Sequence, residues 1–460
     1  MKRRITTTVV ALGVAAFQGT AGAAGFALIE NSASGMGNAF AGAAAVAEDA
    51  STVWFNPAGM TQLKQQQVTV ALHYILPSAE YTDQGSYINP ALTGDLVTPG
   101  SLSGKNDSTE VNALVPNLYY VVPLSDKYLF GLGINAPFGL ETDYDADWVG
   151  RYHATNSQLM TININPSLAW RATDALSFGV GFSIQYAEAD LSNQVDSGAV
   201  CLKFAGDDDN LLAQCIDSGL VPNTVEMDSS ANVEGENWAY GYNLGLLYQV
   251  NDVIRLGMTY RSAISQTLEG DGSFEVNADL RAILDSIGLQ DLLKDSPVTA
   301  TAELPASASL SGLFNLTQSL SLLADITWTG WSSFEELRVE FDNPLQPDAV
   351  TQENWEDAMR YAVGLNYTTN AYVLRTGLAL DESPIPDEQH RTPRIPGNAR
   401  KWLSLGMGLP VHKAIWLDFG YAHLFSDDAA IDHADSNGYV LRGVYELAAD
   451  IFSAQATMKF

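Results

Sequence analysis

The sequence predicts an all-β fold: a 14-stranded antiparallel transmembrane β-barrel with an N-terminal hatch, a plug, inside the lumen. Three observations carry this reading. Apolar residues alternate with polar or small ones in segment after segment. The connections between those segments are alternately short and long, the mark of a barrel with turns at one end and loops at the other. A small-residue-rich stretch precedes the first alternating segment and does not share its pattern. Hydrophobic residues make up 46% of the chain and charged residues 17%. After the leader no apolar run approaches the roughly 20 residues of a membrane helix.

The leader comes first. Lys2, Arg3 and Arg4 form a basic start, Ile5 to Phe17 is apolar, and Ala21-Gly22-Ala23 is a small-residue cleavage signal. Residues 1–23 therefore read as a signal peptide, 24–66 as the hatch and 67–460 as the barrel. Within the hatch, Asn56-Pro57-Ala58-Gly59 reads as a helix start, with Asn as cap and Pro in the first turn. Because the hatch precedes the first strand, it begins at the turn end, on the periplasmic side, and can fold back into the lumen.

The strands follow. From 161 to 170, Ile162, Ile164, Leu168 and Trp170 take one face, and Asn163, Asn165 and Ser167 the other. The next segment repeats this with Phe178, Val180, Phe182 and Ile184 against Ser177, Gly179, Gly181 and Ser183, after a tight turn at Thr173-Asp174. The same reading gives fourteen strands: 68–76, 114–124, 128–138, 157–172, 176–191, 237–250, 253–270, 299–316, 320–334, 358–368, 371–383, 401–411, 415–425 and 445–460. Short turns fall at 125–126, 173–174, 251–252, 317–318, 369–370 and 412–413. Closure pairs every backbone group, which lipid demands. The final strand ends on Phe460, an aromatic terminus that resembles the signal read by the barrel assembly machinery of Gram-negative bacteria.

The remaining features narrow the function. A formal charge of −31 argues against nucleic acid, which needs a basic surface. The acids suit solvated loops or divalent-cation bridging. Cys201 and Cys215 read as one local disulfide in an exported protein, and two cysteines alone do not make a metal site. Asp207, Asp208 and Asp209 lack the spacing of a calcium loop. No metal or cofactor is expected. The six histidines supply no lumenal Ser-His dyad, and His423 has lipid-facing parity, so no catalytic residues are assigned. From 280 to 294, Leu280, Ile283, Leu284 and Ile287 share a helical face. With Phe204, Leu211 and Leu212 they form either a surface groove or ordinary loop packing.

Several motifs carry a resemblance. These are the mature start Ala24-Gly25-Phe26, the stretch Ser34 to Gly42 (SGMGNAFAG), Glu48 to Thr52 (EDAST) and the Asn56-Pro57-Ala58 triplet. Further along come Gly181 to Leu191, Leu304-Pro305, Ser332 to Leu337, Arg375 to Pro384 and Arg394 to Pro396. In this order the chain resembles the outer-membrane long-chain fatty acid transporters of FadL type, which include related hydrocarbon uptake channels. The resemblance implies passive uptake of hydrophobic molecules by a monomeric barrel among outer-membrane lipid and lipopolysaccharide. It also implies lateral release beside an inward kink in the third strand. Here Gly131, Gly133 and Pro137 permit a break in pairing. Phe26, Leu28 and Ile29 are expected at the cargo pocket or its seal, with Asn56, Pro57 and Ala58 anchoring the hatch.

The expected cargo is a long-chain fatty acid, with aromatic or aliphatic hydrocarbons as the alternative and a general porin the weaker third, since a porin has no use for the hatch. A fatty acid wants a cation beside the apolar pocket. The places where the family carries basic residues hold Asn193 and Glu356 here, which favours neutral hydrocarbons. Strand parity turns Arg255, Arg261, Arg360 and Arg375 toward the lumen. They are ligand-binding candidates, or lumenal arginines paired with acids.

Overall fold

The computed structural model describes residues 25–89 and 100–460. The expected leader, residues 1–23, lies outside the described residues. Fourteen long staves close into one antiparallel barrel. They begin with β1 Gln67–Asp83, β2 Ala113–Pro123, and β3 Tyr128–Asn135 continued by Gly139–Asp143. Next come β4 Asn156–Arg171, β5 Leu176–Val195, β6 Ser229–Gln249, and β7 Ile254–Arg261 continued by Ile264–Glu275. β8 is Ser296–Leu304 continued by Ser307–Asn315, and β9 is Leu320–Thr329. The last five are β10 Ala358–Thr368, β11 Val373–Asp381, β12 Arg400–His412, β13 Ile415–Ser426 and β14 Tyr439–Lys459. β14 returns to β1 in continuous register from Gln67↔Lys459 to Asp83↔Gly443, so no edge is left there.

The alternation sets the faces. Phe178, Val180, Phe182, Tyr240, Leu244, Leu378 and Leu405 point outward and are exposed to the bilayer, while Ser177, Ser183, Asn243 and Ser404 are buried inside. The short turns owe their shape to their first polar residue. Thr173, Asn251, Thr317 and Thr369 each accept hydrogen bonds from the backbone two and three residues on.

Several expected bounds are corrected. β1 runs seven residues past 76, and β6 starts at Ser229 rather than 237. Both extensions rise beyond the apolar band, so their outer faces are polar and carry no hydrophobic period. On β5 to β7, for example, Glu188, Glu236 and Glu269 stand in one cross-strand row. β3, β7 and β8 are each interrupted rather than continuous, at 136–138, 262–263 and 305–306. Pro137 and Pro305 lack the N–H a ladder requires, which accounts for two of the three breaks.

Above the barrel, helices Ser197–Ala205 and Asp209–Asp217 are stapled by the Cys201–Cys215 disulfide. A third helix, Ala278–Ser286, packs Leu280, Ile283 and Leu284 against them and ends before Gly288, whose φ is +81°. These apolar residues bury one another, so loop packing prevails over an open groove, and only Phe204 and Ile287 of the set stay exposed. Nearby loops are tied by Arg151, fully buried, whose Nε pairs with Asp228 at 2.7 Å. Burial pushes the Asp228 carboxyl up to about 6 even beside this guanidinium.

Candidate functional site

The hatch lies inside the barrel in four short helical turns: Ala33–Met36, Ala43–Val46, Thr52–Phe55 and a 3-10 turn over Pro57–Gln62. Asn56 begins the last of these. Its Oδ1 accepts from Ala58 N at 3.0 Å, and its Nδ2 donates to Ala44 O at 2.7 Å and to Leu246 O of β6 at 3.0 Å. Pro57 occupies the first turn, where no N–H is needed, and Ala58 is buried against the wall. The wall is glycine where the hatch touches it: a Cβ on Gly245 would stand 2.1 Å from Asn56 Oδ1. Gly131 and Gly133 do the same service on β3. They lie in its fully paired part and face Val53 and Met60 of the hatch.

Charges fix the hatch body as well. Arg375 reaches Asp418 at 2.8 Å and hatch residue Glu48 at 3.1 Å. Asp49 accepts from Ser34 Oγ at 2.8 Å and from Gln455 Nε2 at 2.9 Å. Arg255 donates to Val46 O at 3.1 Å and to Gln249 at 2.7 Å. Of the four parity-selected arginines, Arg375 is the one with an ion pair among the described residues.

The arm ahead of the body, residues 25–31, runs along the break in β3. Registered pairing between β2 and β3 stops at Leu118↔Ile134. Within the break Leu28 N donates to Pro137 O at 2.8 Å, and just past it Gly139 N donates to Phe26 O at 3.0 Å. The arm therefore supplies bonds to an edge that β2 leaves open. The Phe26 ring sits in an aromatic box, with centroids 4.8 Å from Trp331, 5.8 Å from Phe334 and Trp355, and 6.0 Å from Phe138. Gly25, at φ +59°, passes so close to Trp331 and Trp355 that a side chain would collide.

Between arm, hatch body and wall lies a cavity of about 180 Å³. Leu28 and Ile29 form one side, with Trp54 and Phe55 from the hatch and Phe138 and Trp402 from the barrel. Phe26 itself stands behind Trp331 and Phe138, which line the cavity. Three arginines face in: Arg261, Arg360 and Arg400. Arg261 stacks on Trp54 at 3.4 Å and donates to Trp54 O at 3.0 Å. Arg360 donates to Ala39 O at 2.9 Å, while its Nε has no partner among the described residues. Arg400 donates to Gly25 O at 3.3 Å. None of the three has an ion pair among the described residues, although Arg360, Asp381 and Arg400 share one cross-strand row. Glu30 and Asp325 also face the cavity. A cavity whose walls join apolar side chains with guanidinium groups can take an amphiphile by its chain and its head together.

Arg400 was readable by parity, since it lies two residues before inward Trp402. The aromatic box was not, because Trp331, Phe334 and Trp355 come from irregular loop sequence with no period to follow. Asn193 and Glu356 sit outside the cavity lining.

Residues 14–460 match the family model described as outer membrane protein transport protein (OMPP1/FadL/TodX). The chain is 31% identical to a long-chain fatty acid transport protein of Escherichia coli O6:H1, over 92% of each chain. It is 33% identical, again over 92% of each, to a 47 kDa outer membrane protein of Pasteurella multocida. Among solved structures it superposes on a Pseudomonas aeruginosa FadL homologue with a TM-score of 0.81 at 25% identity, covering 95% of this chain and 100% of that one. The Pseudomonas putida toluene transporter TodX shares the fold, with a TM-score of 0.64 at 16% identity over 89% and 94%.

Proposed function

The chain belongs to the OMPP1/FadL/TodX family of outer-membrane transport proteins, and from that premise we propose that its cargo is a long-chain fatty acid. As a member of this family it takes up hydrophobic compounds across the outer membrane of a Gram-negative bacterium, as a channel and not an enzyme.

One observation carries the cargo reading: three arginines without ion-pair partners among the described residues line a cavity whose other walls include Leu28, Ile29, Trp54, Phe55, Phe138 and Trp402. The acyl chain gains about 0.8 kcal/mol per methylene buried. The carboxylate meets Arg360 and Arg400, which stand on either side of Asp381 in their row. Cargo displaces the arm from the break in β3, and the gap between β2 and β3 lets it leave sideways into the bilayer. The relatives named as fatty acid transporters support the same choice. Asn56, Pro57 and Ala58 hold the hatch body still while Phe26, Leu28 and Ile29 move.

A second reading, uptake of neutral hydrocarbons, is favoured by Glu30, Asp325 and Asp381, which match the arginines in number. Binding of palmitate to the purified protein, with toluene as competitor, separates the two. An Arg360→Met/Arg400→Met variant is expected to lose palmitate at least tenfold and to keep toluene. Equal palmitate affinity in both proteins would overturn the fatty acid reading.

A further inference from the structure

On the inner wall, Asn163 of β4 and Gln185 of β5 stand directly opposite each other in the register. Each is 1% exposed. They do not bond to one another. Asn163 Nδ2 donates to Asn135 Oδ1 at 3.2 Å, which leaves Asn163 Oδ1 without a partner among the described residues. Gln185 Nε2 is likewise unpaired among them. Buried polar atoms in native proteins are nearly always satisfied, so one free acceptor beside one free donor calls for an occupant. Directly opposed side chains begin about 5 Å apart, a span that a single oxygen bridges with two hydrogen bonds.

Both residues line an alcove of about 10 Å³, close to the least space a water-sized group requires. The alcove's other walls include Trp54, Arg261, Pro137, Phe138 and Pro305, and all five also line the main cavity. It lies where β3 and β8 break at Pro137 and Pro305, beside the Asn163↔Gln185 rung of β4 and β5.

We propose that this alcove is a hydroxyl-recognising subsite, in which a cargo molecule lying in the main cavity seats a hydroxyl carried part-way along its hydrocarbon chain. The inference rests on the fatty acid reading above and deepens it. A hydroxyl donates to Asn163 Oδ1 and accepts from Gln185 Nε2, meeting both needs. A keto oxygen meets only the donor, and a methylene meets neither. A carboxylate meets the donor and opposes the acceptor, and its head is taken by Arg360 and Arg400, which line the main cavity and not the alcove. The expected order of preference is hydroxyl, then ketone, then methylene.

The test is calorimetric binding to the purified full-length protein, using stearic acid and its 6-, 10- and 12-hydroxy derivatives. One hydroxyl position is expected to bind about tenfold tighter than stearic acid, the gain of completing two buried hydrogen bonds, and the others to bind no better than it. An Asn163→Val/Gln185→Leu variant is expected to erase that advantage while holding stearic acid as before. The wild-type positional series stands without any variant, should the double substitution fail to assemble. Stearic acid binding with no preferred position, or a preference that survives in the variant, means that the alcove holds a structural water only and overturns the subsite. Absence of binding by every acid overturns the cargo reading and the subsite together.

Discussion

The hatch is one stretch of chain held in two different ways. Its body, from Ala33 onward, is fixed by groups that are costly to leave unpaired. Asn56 makes three hydrogen bonds in a fully buried position, Arg375 bridges Glu48 and Asp418, and Asp49 takes Gln455. The arm from Gly25 to Ile29 has two backbone bonds to the third strand, one bond from Arg400 to Gly25 O and a ring in an aromatic box, while Glu30 and Asn31 at its base are held by Asn117 and Asn135. Ring contacts are non-directional and are readily replaced by another apolar molecule, whereas an abandoned guanidinium or amide has no substitute inside a barrel. We read the difference as separating the part that stays from the part that moves.

Removing both parts together should have the largest effect. Deleting residues 24–66 is expected to leave a barrel that admits small solutes and no longer saturates with fatty acid, read by liposome swelling and labelled-acid uptake. A deleted form that assembles, stays tight and transports normally would show that the segment is no plug. Breaking only the body comes next. Arg375→Met strands Glu48 and Asp418, and losing one side of a buried pair costs roughly 3–5 kcal/mol. A clear drop in the thermal unfolding midpoint is expected, with partial leakage. Breaking only the arm should invert the pattern: Phe26→Ala leaves the unfolding midpoint nearly unchanged and speeds cargo exchange several-fold in stopped-flow fluorescence. If Phe26→Ala lowers the midpoint as much as Arg375→Met does, the two parts are not held differently after all.

The smallest effect is one of pH. Glu353 donates nothing to the box but accepts from Trp355 Nε1 at 3.0 Å, and burial pushes its carboxyl from 4.5 up to about 8. Between those values the docked loop keeps a proton that the undocked loop sheds, so docking weakens as pH rises and is strongest below about 5. Exchange of cargo is therefore expected to quicken modestly from pH 6 to pH 8.5. Glu353→Gln keeps an acceptor for Trp355 and should flatten that profile, and a profile unchanged in the variant would clear Glu353 of the role.

The staves were legible because lipid forces a two-residue period on every one of them, as in Ile162 to Trp170. The period ends where lipid ends, which is why the upper parts of β1 and β6 were unseen: Glu80 and Glu234 meet water, and nothing there requires apolar alternation. Pro137 announced the break in β3 through its missing N–H, whereas Gly131 and Gly133 looked like part of the same signal and belong instead to the hatch contact. Arginine parity was sound for Arg255, Arg261, Arg360 and Arg375. It could not tell Arg375, held by Asp418 and Glu48, from Arg360, left open to the cavity, since the distinction lies in the hatch residues that each one meets. The Phe26 box joins residues over three hundred positions apart, and no local pattern encodes such a meeting.

The glycine-lined contact between hatch and wall also limits how the plug can travel. At Gly179, Gly257 and Gly377 the two backbones approach so closely that even a methyl group would collide. A body seated in such notches resists sliding along the barrel axis like a piston, because each step would drive it against neighbouring side chains. It is also tethered at its far end, where Leu63 leads within four residues into β1. An arm that swings does so about Glu30 and Asn31, where Asn117 donates to Glu30 O at 2.9 Å and Asn135 donates to Asn31 Oδ1 at 2.8 Å. The five residues from Gly25 to Ile29 reach about 17 Å fully extended, which bounds the swing of a flap hinged there.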